Sequence, residues 1–330
     1  MCQNLLKQKN SLSSIDISVL CRELNEHLKD YYIENIYQPD VSTLLLKLNK
    51  PNAPVKQLII ESGRRVHLTS YSIRRPSKPP VFCSALRKHL LNGRIKKVEQ
   101  PNFERIIIFQ ILKSRENFQL VTELFGEGNI ILIDGEERIL QALSFRKMKD
   151  RQIVRGEKFK LPPPSSLNPE KIVFEDLVKQ LDGSKKEVVR VLSRVLGIGG
   201  VYTEEVLKIA GVEKTLACSE LNEVDFKKIY EAVTYLLEKR NNVQPCIVFS
   251  SLDEPIDVLP FPLQLYEGFK INYYPTFNEA LDEYFTRIVV KEEVKQREEK
   301  IKFQLEEQKR ILDEQLNKPV SYTHLTLPTN

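Results

Sequence analysis

The stretch PNFERIIIF, residues 101–109, sets a carboxylate and a guanidinium, Glu104 and Arg105, directly before three isoleucines and a phenylalanine. An unbroken β-branched and aromatic run of this kind reads as a largely buried strand. Successive side chains on a strand point to opposite faces, so Glu104 and Arg105 do not make a simple in-plane ion pair. One of them anchors the entry to the strand and the other is aimed at something else. Apolar or alternating runs at 95–100, 118–124 and 130–134 follow the same pattern, the last entered through the turn Gly126-Glu127-Gly128-Asn129. Four more lie upstream, at 33–37, 44–48, 58–61 and 65–68, separated by turn material such as Gln38-Pro39-Asp40. Two helices accompany them. The first opens at residues 13–16, where SSID supplies N-cap oxygens before the periodic Val19, Leu20, Leu24 and Leu28. Asp16 in that first turn suits the positive end of the helix dipole. The second, FCSALRKHLLNG, follows the proline-rich break at 76–80 and stops at Gly93. These elements predict an α+β domain with a mainly antiparallel sheet over residues 1–165.

PPPSS at 162–166 is a stiff linker that ends this domain. Helical patterns then cover 174–181, 185–196, 202–210 and 223–240, an all-helical domain over 166–242. Between the middle pair lies LGIGG, residues 196–200, which matches a helix-hairpin-helix. In such a hairpin the amides around Gly197, Gly199 and Gly200, with the following helix N-terminus, cradle a phosphate. An αα-corner that needs glycine only for its turn is the plainer alternative. Residues 243–277 return to short, strand-like, proline-punctuated sequence, expected to pack back on the N-terminal domain so that the helices form an insertion. Residues 278–318 read as one long helix. Its thin apolar stripe at Val294, Ile301, Leu305, Leu312 and Leu316 suits a coiled-coil arm or a solvated helix. Pro319 stops it. VSYTHLTLPT, residues 320–329, shares nothing with that helix and resembles the conceptual translation of a transposon-based sequencing adapter. Residues 319–330 are therefore expected to be a non-native tail, with the natural protein continuing past about Lys318 and His324 carrying no function.

Composition excludes several classes. The 330 residues are 41% hydrophobic and 29% charged, ordinary for a soluble globular protein with one charge-rich segment. No apolar run approaches the ~20 residues that cross a bilayer, and MCQNLLKQKNSLSS at the start has no apolar core of signal-peptide length. Cys2, Cys21, Cys83, Cys218 and Cys246 are dispersed and odd in number, without a C-x-x-C. That spacing argues against a disulfide framework or zinc site and for the reducing cytoplasm. Net charge is +5, yet between Arg64 and Arg105 eleven Lys/Arg face only Glu99 and Glu104, a local excess of +9. A second basic stretch, FRKMKDRQIVRGEKFK, occupies 145–160. A solvated face is the common fate of such runs, but clustering of one sign favours a polyanion partner, nucleic acid first.

The motifs SSIDISVLCREL, LLLKLNKP, FCSALRKHL, FERIIIFQ, ELFGEGNIILID, RGEKFKLPPP, LGIGG and FNEALDEYF occur in that order between about Ser14 and Lys318. In this order and spacing the chain resembles the NFACT family of ribosome quality-control factors. The resemblance implies an NFACT N-terminal domain similar to the N-terminal part of formamidopyrimidine-DNA glycosylases. A helix-hairpin-helix domain, a long coiled coil and a C-terminal NFACT-R domain would follow. It also implies binding to a large ribosomal subunit obstructed by peptidyl-tRNA, through rRNA and tRNA, and recruitment of charged tRNA, chiefly alanyl-tRNA, for non-templated tailing of the stalled peptide. Peptide-bond chemistry would belong to the ribosome, so the implied protein is a recruiting factor without cofactor or metal, not an enzyme, and it works away from membranes. The family's tRNA-engaging Asp at the first helix start matches Asp16. Its Asp-Arg pair at a strand start matches Glu104-Arg105, with Glu in place of Asp, and Arg87 and Lys88 in the basic run join them as tRNA-binding candidates. A DNA glycosylase/lyase is the enzyme alternative; its covalent chemistry needs a free N-terminal amine beside an acidic partner, whereas here Met1 leads into Cys2-Gln3-Asn4 with no terminal Pro-Glu. A surface adhesin is a third possibility, disfavoured by the absence of an export signal.

Overall fold

A computed structural model of the chain describes residues 8–73, 75–164 and 166–316. The opening Met1 and Cys2, Arg74 of the basic run and the adapter-like tail at 319–330 lie outside the described residues. The chain divides into two units, the first ending at Tyr284 and the second beginning at Phe285.

The first unit starts with α1 (Ser14–Leu28) and a meander of β1 (Tyr32–Tyr37), β2 (Thr43–Asn49), β3 (Lys56–Glu61) and β4 (Arg65–Leu68). After α2 (Val81–Leu90) comes a second meander of β5 (Arg94–Glu99), β6 (Ile106–Lys113), β7 (Glu116–Glu123), β8 (Asn129–Asp134) and β9 (Ile139–Ala142). The nine strands form one antiparallel sheet in the order β4-β3-β2-β1-β5-β6-β7-β8-β9, the α+β class that the patterning predicts. The meanders join along β1 and β5, where Tyr32 pairs with Arg94 and the Ile95 and Ile33 N–H groups donate to Tyr31 O and Gly93 O at 2.8 and 2.9 Å. They meet again at their turns, where the Gly63 N–H donates to the Glu123 carbonyl at 3.1 Å. Ile106, Ile107, Ile108 and Phe109 are all buried, so β6 is covered on both faces. Ile106 and Ile108 pack with Val121, Ile131, Ile133 and Ile153 in one apolar cluster.

The second basic stretch is not simply a solvated face. It holds a small hairpin, β10 (Arg146–Lys147) against β11 (Gln152–Ile153), which its charge density conceals in the sequence. Arg151 is buried in an ion pair with Glu123, Arg146 pairs with Glu127 at 3.1 Å, and Arg155 donates to Gln141 at 2.7 Å.

The helical layer comprises α3 (Phe174–Leu181), α4 (Val188–Leu196), α5 (Gly200–Ala210) and α6 (Glu223–Lys239). Helix α4 starts at Val188 rather than at 185, because the residues before it pair with the α5–α6 loop. The Val188 N–H donates to Leu216 O at 2.8 Å and the Cys218 N–H to Lys186 O at 3.0 Å. A three-stranded antiparallel sheet follows, β12 (Cys246–Phe249) between β13 (Pro255–Leu259) and β14 (Lys270–Tyr273). Val248, Leu259 and Phe261 share one core with Leu192, Val206 and Ile229 of the helices, and with Ile15 and Phe103 of the preceding segments. This small sheet is also tied to the start of the chain, since the Lys9 N–H donates to Ile256 O at 2.9 Å. Helix α7 (Phe277–Leu316) begins in the first unit, where the Glu23 carboxylate accepts the Phe277 and Asn278 N–H groups at 2.8 and 3.0 Å. In the second unit α7 continues as a helix whose residues 291–315 are exposed throughout; no second helix pairs with it among the described residues, and a coiled coil is not shown.

Candidate nucleic-acid interface

Helix α1 opens on a capping box: the Ser13 N–H donates to Asp16 Oδ2 at 2.7 Å and the Asp16 N–H to Ser13 Oγ at 3.2 Å. The Asp16 side chain is fully buried. Its Oδ1 accepts the Tyr202 hydroxyl, from the first turn of α5, at 2.7 Å. Its Oδ2 lies 2.9 Å from the Lys9 ammonium, which is also 3.1 Å from Asp257 Oδ1 on β13. The Tyr266 hydroxyl donates to the other Asp257 oxygen at 2.7 Å. Two helices thus start beside one carboxylate, which complements both positive ends. Burial works against the charge on Lys9, but Asp16 and Asp257 outweigh it and its pKa stands above the ordinary value. Burial also raises the Asp257 carboxyl, against the pull of Lys9 and Tyr266. Burial first, then the Asp16 charge, pushes the Tyr202 hydroxyl well up, so it remains a donor. Both oxygens of Asp16 are engaged by groups of this chain.

Arg105 stands beside this network. Its Nε donates to Leu12 O at 2.9 Å and its Nη2 to Ser11 Oγ at 3.0 Å. Burial lowers its pKa while the Asp16 charge raises it. A left-handed turn at Asn102 and Phe103, φ 50° and 60°, delivers it there. That turn drops Phe103 into the core and releases the chain into β6. Left-handed backbone suits Asn and is uncommon for Phe, so the burial of the Phe103 ring offsets some local strain. Half-buried Glu104 sits between the two: its N–H closes the turn onto Pro101 O, and its carbonyl accepts the Gln100 side-chain amide at 2.9 Å. The same amide donates to Ser14 O at 2.9 Å. The Arg105 side chain is turned to the helix start, and the Glu104 backbone closes the turn beside it. Two of its five N–H donors are spent, and Nη1 has no partner among the described residues.

The glycine hairpin docks on the same place. Ser14 Oγ donates to Gly197 O at 2.9 Å, and a Cβ on Gly199 would lie 3.5 Å from Ser13 Cβ. Gly199 and Gly200 are exposed, whereas a Cβ on Gly197 (φ 62°) would fall 2.3 Å from Ser166 Oγ. Arg87 and Lys88 are elsewhere. Arg87 Nε donates to Ile36 O at 2.7 Å and its guanidinium lies 5.4 Å from the Tyr37 ring, which Arg75 approaches at 4.8 Å. Lys88 is exposed, and its carbonyl accepts Lys113 Nζ at 2.9 Å. Asp16, Arg105 and the Glu104 backbone thus converge at the α1 start with the hairpin, and Arg87 and Lys88 belong to a separate β1–α2 patch. No local pattern singles out Lys9, Tyr202 and Asp257. A lone acid inside the apolar run Ile256-Asp257-Val258-Leu259 is the signal that could have found one of them.

Among the described residues no group of three or more His, Cys, Asp or Glu side chains could hold a metal ion. No described helix is long and apolar enough to cross a membrane.

Residues 13–320 match the family model of the NFACT N-terminal and middle domains. Over 323 residues, 93% of this chain, the sequence is 36% identical to the archaeal Rqc2 homolog aRqcH of Methanocaldococcus jannaschii, covering 47% of that protein. Over 309 residues, 85% of this chain, it is 28% identical to the ribosome quality control complex subunit NEMF of Homo sapiens, covering 28% of it. The chain therefore spans about half the length of the archaeal relative and less of the human one. The crystal structure of the fibrinogen binding protein from Staphylococcus aureus matches with a TM-score of 0.68 at 20% identity, over 83% of this chain and 98% of that one, a likeness of fold alone. Matched through its sheet and its helical layer alike, this chain belongs to the NFACT family, whose N-terminal and middle domains it carries.

Proposed function

We propose that the chain is the RNA-engaging part of a cytoplasmic ribosome-associated quality-control factor. It binds the large ribosomal subunit obstructed by peptidyl-tRNA, contacting rRNA, and recruits charged tRNA, chiefly alanyl-tRNA, for non-templated C-terminal tailing. It performs no bond chemistry itself, since the peptidyl transfer is the ribosome's. The observation that carries the reading is Arg105: a half-buried guanidinium fixed by Leu12 O and Ser11 Oγ, with Nη1 open among the described residues, where the resemblance puts the family's tRNA-engaging arginine. A fork held in this way offers a phosphate or base edge paired donors at little entropic cost. The relatives named for ribosome quality control support the setting. Asp16 supports recruitment indirectly, because it fixes the helix start on which Ser11 and Leu12 depend.

The test is tRNA binding by the unaltered chain and by Arg105→Ala, with co-sedimentation on obstructed large subunits in parallel. Arg105→Ala should weaken tRNA binding by about tenfold, within the ~1–3 kcal/mol of one directed arginine contact, and leave co-sedimentation within about twofold. Equal loss in both assays would make Arg105 a general anchor, and unchanged tRNA binding would return the Glu104-Arg105 pair to a structural role.

A further inference from the structure

The helical layer carries a cationic cleft that neither the glycine hairpin nor the Arg105 site includes. One part, of about 610 Å³, is lined by Asn102, Asn168, Lys171, Gln180 and Arg194 among others. A second part, of about 650 Å³, shares Gln180 and Arg194 with the first and continues past Lys185, Lys186 and Arg190. The two form one groove along α3 and α4. Its charge is almost wholly of one sign, since Glu187 is the one acid among the described lining residues and is already paired with Arg190 at 2.6 Å. Lys171, Lys185, Lys186 and Arg194 are exposed and have no carboxylate within ion-pair distance among the described residues. Four unneutralised cations along one groove repel one another, a cost that a bound polyanion removes.

We propose that this α3–α4 groove is a second RNA contact that tracks a phosphodiester backbone away from the Arg105 site. The lining selects the class of partner. Neutral donors (the amides of Asn102, Asn168 and Gln180 and the Ser166 hydroxyl) accompany the cations, which suits phosphate oxygens and 2′-hydroxyls. Among the described residues no aromatic side chain lines either part, so the groove offers no platform for stacked bases and should be indifferent to sequence. Continuity fixes the direction: Asn102 at one end precedes Glu104-Arg105 by two residues in the same turn, and Lys185-Lys186 stand at the other. The helical layer's phosphate site is then this side-chain groove, and the hairpin serves to dock the start of α5 on α1 through the Gly197 carbonyl, which accepts the Ser14 hydroxyl. The proposal rests on the RNA-binding reading above. The backbone could come from tRNA or from rRNA of the large subunit, and the experiment separates them.

The variant Lys171→Glu/Arg194→Glu is compared with Lys227→Glu/Lys228→Glu, an equal charge reversal on exposed positions of α6, and with the milder Lys171→Gln/Arg194→Gln. Probes are deacylated tRNA and purified large subunits, titrated at two salt concentrations. The groove reversal should lose at least about tenfold in affinity for one probe and flatten its salt dependence by roughly two phosphate contacts, with the neutral variant intermediate and the α6 control near wild type. Loss confined to tRNA, or to subunits, names the source. Groove and control variants that bind alike overturn the proposal while leaving the Arg105 reading in place. Polyglutamate competing as well as tRNA for the groove also overturns it, in favour of an acidic protein partner. An unaltered chain that binds neither probe overturns both.

Discussion

The Asp16 carboxylate shows how one side chain can hold a recruiting surface without touching its ligand. Its two oxygens take the capping N–H, the Tyr202 hydroxyl and the Lys9 ammonium, and none of its surface reaches solvent. Removing one member of a buried pair strands the other charge, at a cost of about 3–5 kcal/mol, whereas an exposed contact residue is worth far less to stability. Asp16→Asn is therefore expected to lower the unfolding free energy by several kcal/mol in urea titrations, and Lys9→Met, which strands Asp257 as well, by a similar amount. A fully stable Asp16→Asn protein that fails only in tRNA binding would instead make the carboxylate a direct contact, reached through a rearranged α1 start. The capping role was legible, because SSID is a local signal in which cap and acid sit three residues apart. The burial was not. Lys9 lies in a polar leader, and Asp257 and Tyr202 come from segments far along the chain, so no local pattern announces that they surround one ammonium.

Strands and helices followed their patterns to within a few residues wherever periodicity alone sets the ends, as in β4 and α3. The departures have physical causes. β10 and β11 were missed because they span only two residues each, inside a stretch dominated by basic side chains. Several of those charges are consumed in pairs, including the buried Arg151–Glu123, so a count of Lys and Arg overstates the free positive surface. The Gly126-Glu127-Gly128 turn was legible as a turn, but not as the place where the two meanders close on each other. Both glycines have positive φ, 56° and 67°, yet they are not equivalent. A Cβ on Gly126 meets nothing within 4 Å, and one on Gly128 would lie 2.0 Å from the Gly63 nitrogen. Gly126→Ala should cost only the left-handed backbone penalty of about 1–2 kcal/mol. Gly128→Ala adds a backbone clash that no rotamer relieves, and should be destabilised by at least ~2 kcal/mol more in the same urea titration. Equal losses would mean that the meanders separate freely at this end.

Across the whole first unit, sequence order and spatial order diverge. Composition marks residues 166–242 as a helical block between a linker and a strand segment, which suggests an autonomous domain. The core does not respect that block. Leu177, Leu192, Val206 and Ile229 bury against Val248, Leu259, Phe261 and Tyr266 from the following segment, and against Ile15 and Phe103 from before the linker. Lys9 adds a backbone bond to Ile256 and ion pairs to Asp16 and Asp257, so the first described residues fasten the last strands. Cutting out the helical block would expose the faces that these side chains cover, at roughly 1.5–3 kcal/mol for each large apolar side chain uncovered. Four or five such losses equal the ~5–15 kcal/mol that stabilises a typical domain. An isolated fragment of residues 166–242 is therefore expected to show no cooperative melt by circular dichroism, although its helices have strong apolar faces. A fragment ending near Tyr284 and keeping Lys9 should unfold in one transition, coincident by near- and far-ultraviolet signals. If the 166–242 fragment melts cooperatively on its own, the helical layer is a separate folding unit. The Arg105 site and the α3–α4 groove would then sit on two bodies able to move against each other, rather than on one rigid surface.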